Sequence, residues 1–192
     1  MTHFTIFGTG NMANSIGSVL AAGGAAVDYI SHEDAGNAEI TGDVVILAVP
    51  YPSLAQITAA FRDQLHGKVV VDITNPLNFE TFDSLVVPAG SSAAAELQKE
   101  LPGAAVLKAF NTNFAATLAS KKVGEHTTTV LIAGDDANAK TTLAAALTAG
   151  GVNALDAGSL GRAHELEAMG FLQLTLAAAE KISWTGGFSV TN

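Results

Sequence analysis

Short apolar runs rich in Val and Ile alternate along this chain with longer stretches rich in Ala and Leu, the pattern of strand–helix units laid on a parallel sheet. Residues 4–7 predict a first strand. Met12, Ala13, Ile16 and Leu20 then repeat at helical spacing, so a helix is expected over 11–22, stopped by Gly23-Gly24. A second strand is predicted over 26–30. Residues 31–42 are polar and few, with room only for a brief or distorted helix. Residues 43–49 are almost continuously apolar, as a strand buried on both faces requires, and Pro50 ends them.

The same periodicities predict a helix over 54–65, a strand over 68–73, a helix over 93–101 and a strand over 105–109. Residues 74–92 carry Asn75-Pro76 and Val87-Pro88-Ala89-Gly90, too long and broken for a simple crossover and so a candidate functional loop. A further strand (127–133), helix (135–149) and strand (152–156) follow. The last helix, 162–184, carries Leu166, Met169, Phe171, Leu172, Leu174, Leu176 and Ala177 on more than one face. It is expected to be buried widely, against its own sheet or as a subunit interface or pocket wall.

Composition narrows the classes. Hydrophobic residues at 48% against 14% charged exclude a disordered or coiled-coil chain. Nine Lys+Arg against 18 Asp+Glu give −9, which repels a nucleic-acid backbone, so no nucleic-acid partner is expected. Without cysteine there is no disulfide, thiolate nucleophile or Cys-ligated metal. The start of the chain has no basic region ahead of its apolar stretch, and no segment reaches the ~18 apolar residues of a membrane span, so a cytoplasmic protein is expected.

Gly8-Thr9-Gly10-Asn11-Met12-Ala13 leaves the first strand and opens the first helix, the context in which G-x-G-x-x-G/A signals dinucleotide binding. Gly8 permits the turn, Gly10 lets backbone approach a pyrophosphate, and free helix N–H groups attract its charge. The fold class expected is α/β: a Rossmann-like, doubly wound, mainly parallel sheet in three α/β/α layers with a C-terminal covering helix. One domain, 1–192, is expected, with a dinucleotide-binding core in 1–112 and a sheet extension plus helix in 113–192.

The second strand runs into Ser31-His32-Glu33-Asp34. Ser31 and His32 suit a 2′-phosphate by hydroxyl and imidazole, which favours NADP over NAD, although two acids follow and His32 reads equally as a solvated loop residue. Asp28 lies too early to hold the ribose and reads as an edge residue. Neither Tyr29 nor Tyr51 is followed four residues later by Lys, so the proton-donating Tyr-x-x-x-Lys pair is missing. Five scattered histidines give no zinc spacing. Hydride transfer by orientation alone remains, with no ionisable catalytic residue and no metal expected.

Together these pieces resemble the family of NADPH-dependent coenzyme F420 oxidoreductases. The resemblance rests on Gly8-Thr9-Gly10-Asn11-Met12, Ser31-His32, Ala48-Val49-Pro50-Tyr51, Thr74-Asn75-Pro76-Leu77 and Lys108-Ala109-Phe110-Asn111-Thr112, each following a predicted strand in order. It implies that Gly8, Thr9, Gly10, Asn11 and Met12 hold the pyrophosphate and Ser31 with His32 the 2′-phosphate. Ala48, Val49, Pro50 and Tyr51 would follow the third strand beside the ribose and adenine, while Asn75, Pro76, Ala109, Phe110 and Asn111 border the nicotinamide. Asn75-Pro76 reads equally as a plain turn and Phe110 as a core aromatic. The family usually has Arg where His32 stands here.

The expected function is hydride transfer between NADPH and coenzyme F420 or a related flavin, in a homodimer formed through the last helix. Two alternatives stand beside it. Gly10-Asn11-Met12-Ala13 is also similar to the start of pyrroline-5-carboxylate reductases, whose imine chemistry needs no strong proton donor, although only one long helix follows Gly158. A non-catalytic NADP-binding sensor would need the fingerprint but no acceptor pocket.

Overall fold

The first strand, β1 (His3–Phe7), lies inside a seven-stranded sheet between β2 (Ala26–Ile30) and β3 (Val44–Leu47). The computed structural model of the chain describes residues 2–34, 36 and 38–191. Beyond β3 the sheet continues with β4 (Val69–Asp72) and β5 (Ala105–Lys108), and all five strands run parallel. Phe4 stands opposite both Val27 and Val44, and Phe7 opposite Ile30 and Leu47. From β1 the chain passes first to one neighbour and then back across to the other, which opens a crevice at the carboxyl ends of β1 and β3.

Strand side chains alternate between two layers, and each layer has its own helices. Phe4, Ile6, Val44, Ile46, Val71 and Leu107 pack with Ile16 and Leu20 of α1 (Asn11–Ala22). Phe7, Val45, Leu47, Val70 and Val106 pack with Ile57 and Phe61 of α2 (Leu54–Leu65) and Leu97 of α3 (Ala93–Glu100). Both faces of the central strands are therefore covered, which accounts for their unbroken apolar runs.

After β5 come α4 (Ala115–Ser120) and a small antiparallel hairpin of β6 (Lys122–Val123) and β7 (His126–Thr127). These are too short to show a hydrophobic period, and sequence reasoning missed them. Then β8 (Thr129–Gly134) joins β5 antiparallel, α5 (Ala137–Ala149) covers it, and β9 (Asn153–Gly158) closes the sheet parallel to β8. Asp136, and not Asp135, starts α5, because its carboxylate accepts from the Ala139 amide at 2.9 Å. Among the described residues of 31–42 there is no helix.

The last helix departs from expectation in extent and in burial. α6 (Ala163–Ala178) stops six residues before Trp184, where Glu180 takes a left-handed φ of 56° and the Glu180 and Lys181 amides donate to the Ala177 and Leu176 carbonyls. Residues 181–191 turn back irregularly, and Trp184 packs on Phe114 with ring centroids 5.0 Å apart. The buried stripe of α6 is Ala163, Leu166, Glu167, Gly170, Gln173 and Ala177, while Leu172 is exposed and Phe171, Leu174 and Leu176 are half-buried. Small and polar residues face the sheet because α6 packs on a polar site, as described next.

Candidate functional site

Two clefts open along the carboxyl edge of the parallel strands and share Gly10, Ala48, Val49 and Pro50. The smaller, about 590 Å³, runs from the Gly8-Thr9-Gly10 turn over the ends of β2 and β3 to Ser31, His32 and Gly36. The larger, about 810 Å³, extends the other way past Asn11, Met12 and Tyr51 to the ends of β4 and β5.

The fingerprint turn is built from two glycines with different reasons. Gly8 has φ +110°, and a Cβ on it would lie 2.3 Å from the Ala48 carbonyl oxygen, so fold geometry excludes any side chain. Gly10 has an ordinary φ of −76°, and a Cβ there would meet nothing within 4 Å. The space beside Gly10 is the junction of the two clefts. α1 begins at this point with no side-chain cap and no acidic residue in its first turn, so its N-terminal amides face the cleft unopposed. The Asn14 amide side chain donates to the Thr9 carbonyl at 3.0 Å and holds the turn.

At the far end of the smaller cleft, the Ser31 hydroxyl donates to Asp34 at 2.6 Å and accepts from the Asp34 amide at 3.2 Å. His32 is exposed. Asp28 accepts from Thr41 at 2.7 Å and pairs with His3 at 2.7 Å; these hydrogen bonds, Thr41's first, hold its carboxyl below the usual range. It ties the sheet edge and does not face the cleft.

The larger cleft is floored by a polar clasp. Asn75 Nδ2 donates to the Asn111 carbonyl at 2.8 Å, and Asn111 Nδ2 donates to Asn75 Oδ1 at 2.9 Å and to the Leu166 carbonyl of α6 at 2.8 Å. Phe110, fully buried at the end of β5, takes a left-handed φ of 63°, a backbone strain tolerated where surrounding structure fixes it. Thr74 Oγ1, Asn111 Oδ1 and Asn113 Oδ1 are buried without a hydrogen-bond partner. All three belong to residues lining this cleft, so the site offers unused polar capacity to a bound group.

Behind the clasp lies a fully buried ionic triad. Lys108 Nζ donates to Asp72 at 2.9 Å, to Glu167 at 2.8 Å and to the Thr74 carbonyl. Glu167 also accepts from the Ala93 amide at the start of α3, at 2.9 Å. Burial raises the Glu167 carboxyl above its ordinary value, against the lowering effect of Lys108. Burial, and then the negative charge of Glu167, likewise raise the Tyr51 hydroxyl, so it stays protonated at the cleft wall.

Of the residues expected at the site, Gly8, Thr9, Gly10, Ser31, His32, Ala48, Val49 and Pro50 line the smaller cleft, and Asn11, Met12, Tyr51, Asn75, Phe110 and Asn111 line the larger. Pro76 and Ala109 line neither. Pro76 is buried with its carbonyl accepting from Val86 at 2.7 Å, and Ala109 lies in the core beneath Phe110. Thr74 and Asn113 were missed although they adjoin recognised motifs. Phe79 comes from the 74–92 loop, expected to be functional, and Leu174 and Trp184 from the 162–184 segment, for which a pocket wall was one expectation, though none was named individually as a site residue.

The residues fit a dinucleotide, with an open Gly10, free helix amides and unpaired polar atoms along one continuous edge. Among the described residues, no group of three or more His, Asp or Glu is placed to hold a metal, and no helix is long and apolar enough to cross a membrane.

Comparison with known proteins agrees with this geometry. The family model described as NADP oxidoreductase, coenzyme F420-dependent, matches residues 26–76. The F420-dependent NADP reductase of Methanocaldococcus jannaschii is 30% identical over 178 residues, covering 91% of this chain and 78% of that one. The metalloreductase STEAP3 of Rattus norvegicus is 32% identical over 189 residues and 85% of this chain, but the chain spans only 35% of that relative's length. The crystal structure of a candidate F420-dependent NADP reductase from Arthrobacter sp. FB24 superposes over the full length of both chains with a TM-score of 0.82 at 23% identity, a likeness of fold.

Proposed function

The chain belongs to the family of F420-dependent NADP reductases, and from that premise we propose that it passes hydride between NADPH and coenzyme F420 or a related flavin. It is an NADP-dependent oxidoreductase. The observation that carries the proposal is the meeting of two clefts at Gly10, one running to Ser31 and His32 and the other to the Asn75–Asn111 clasp.

In this reading Gly8 to Met12 hold the pyrophosphate, the 2′ position of the adenosine lies at Ser31 and His32, and Val49, Pro50 and Tyr51 flank the nucleotide. Asn75, Phe110 and Asn111 border the nicotinamide, joined by Thr74 and Asn113, whose free oxygens suit its carboxamide. Held by these residues, NADPH would supply a hydride from its nicotinamide, and an acceptor ring in the larger cleft would take that hydride together with one proton from solvent. No residue lining the larger cleft is Asp, Glu, His, Lys or Arg, and Tyr51 holds its proton, so the chain's part is to orient two flat rings and exclude water. The aromatic lining of Phe79, Phe114 and Trp184 supports a flat acceptor.

The pyrroline-5-carboxylate-reductase-like reading and the sensor reading are not favoured by the family membership. The half-buried Phe171 and Leu176 with exposed Leu172 support a homodimer through α6, which light scattering of the purified protein tests. The net charge of −9 supports action without nucleic acid; a cytoplasmic location is part of the same proposal.

The test of function is anaerobic NADPH oxidation with coenzyme F420 as acceptor and FMN in parallel. F420 reduction well above the protein-free rate is expected; none with either acceptor would refute the proposal.

A further inference from the structure

We infer that Asp34 sets the nucleotide selectivity of this chain and sets it low, so that NADH is bound nearly as well as NADPH. The inference rests on reading the smaller cleft as the adenosine side of a dinucleotide site.

Two observations carry it. The cleft end that would receive a 2′-phosphate is formed by Ser31, His32 and Gly36, and residues 31–42 contain no Lys or Arg, nor does the rest of the described lining. A phosphate there finds no permanent cation and no fork of donors. In addition, the Ser31 hydroxyl is already spent. It donates to Asp34 at 2.6 Å, and its oxygen accepts the Asp34 amide at 3.2 Å. To serve a phosphate, that hydroxyl must leave the carboxylate, and the phosphate must then sit beside a like charge. A free 2′-hydroxyl meets neither obstacle, because it is uncharged and does not require Ser31 to leave the carboxylate.

Asp34 therefore acts through Ser31 as well as through its own charge. Removing that charge should release Ser31 for the phosphate and improve NADPH without touching NADH. Asp34 is exposed and Ser31 half-buried, and neither belongs to the core, so substitutions at these two positions leave folding intact.

The experiment is equilibrium titration of the full chain with NADPH and with NADH, followed by reduced-nicotinamide fluorescence, at low and moderate salt. For the unaltered protein the two dissociation constants are expected to differ by about tenfold or less, as no charge-assisted phosphate contact is available. Asp34→Asn should tighten NADPH by about fivefold and leave NADH unchanged, and the gain should shrink as salt rises, which a purely structural role would not produce. Ser31→Ala should weaken NADPH more in the Asp34→Asn background than alone. A native preference for NADPH above about tenfold, or an Asp34→Asn effect equal on both nucleotides or absent, would overturn the inference. If neither nucleotide binds, the dinucleotide reading falls with it. Nucleotide binding without turnover on any acceptor refutes hydride transfer alone and leaves this selectivity measurement valid.

Discussion

Asn75 and Asn111, 36 residues apart in sequence, clasp each other through two hydrogen bonds of 2.8 and 2.9 Å, and Asn111 also holds the Leu166 carbonyl of α6. Two strand ends and a helix from the far end of the chain thus meet at one amide. Asn111→Ala leaves Asn75 Oδ1 and the Leu166 carbonyl without this donor, at a cost of about 1–3 kcal/mol. Thermal denaturation should show the loss, and kcat/KM for NADPH should fall by more than the stability change explains, because the cleft floor loses its geometry.

Gly170 lets α6 reach that clasp. A Cβ built on it lies 2.2 Å from Asn75 Oδ1 and 3.0 Å from Asn111 Nδ2. Gly170→Ala would gain roughly 1 kcal/mol in helix propensity at an exposed site, but here the methyl must displace either the helix or the clasp. The variant is expected to be less stable and at least about tenfold slower; a variant as active as the parent would show that the clasp does not position the reactants.

The two fingerprint glycines should separate fold from function. Gly8→Ala meets the Ala48 carbonyl at 2.3 Å with φ at +110°, and should destabilise by roughly 2 kcal/mol or more. Gly10→Ala enters open space at an allowed φ, so its melting temperature should stay near that of the parent. Its methyl occupies the junction of the clefts, and NADPH titration should show affinity reduced by about tenfold or more.

Lys108 is the only cation of a buried triad with Asp72 and Glu167. Lys108→Met leaves two carboxylates facing each other without compensation, and a loss of about 3–5 kcal/mol is expected in denaturant unfolding. Replacing Glu167 by Gln in the same variant should recover part of that loss, since one of the two unpaired charges disappears.

The pH dependence of Glu167 has a definite sign. Burial raises its carboxyl in the folded chain above the ordinary 4.5, so the unfolded chain ionises first. The stability contributed by its protonated form is fully present below about 4.5 and is lost as pH rises through the raised folded value. Denaturation of the parent and Glu167→Gln across pH 4.5 to 8 should show the parent losing stability relative to the variant as pH increases. A difference independent of pH would mean that Glu167 titrates alike in both states.

The order of the strands and helices along the chain, the fingerprint turn and the motif residues at the cleft junction were legible in the sequence, because local periodicity and glycine chemistry decide them. Residues 4–7, 26–30 and 43–49 announce buried parallel strands by apolar content alone, and a ligand edge follows wherever such strands end. Tertiary structure decided the rest. The antiparallel entry of β8 beside β5 depends on which edge was left open, which no local pattern encodes. α6 ends at Ala178 through the left-handed turn at Glu180, and the return of Trp184 to the cleft depends on packing against Phe114. Pro76 and Ala109 sit in motifs that border the site but are buried, which only the packing around those strand ends decides. The triad is the clearest case: Asp72, Lys108 and Glu167 look like surface charges in sequence, and only the sheet register and the approach of α6 bring them together out of water.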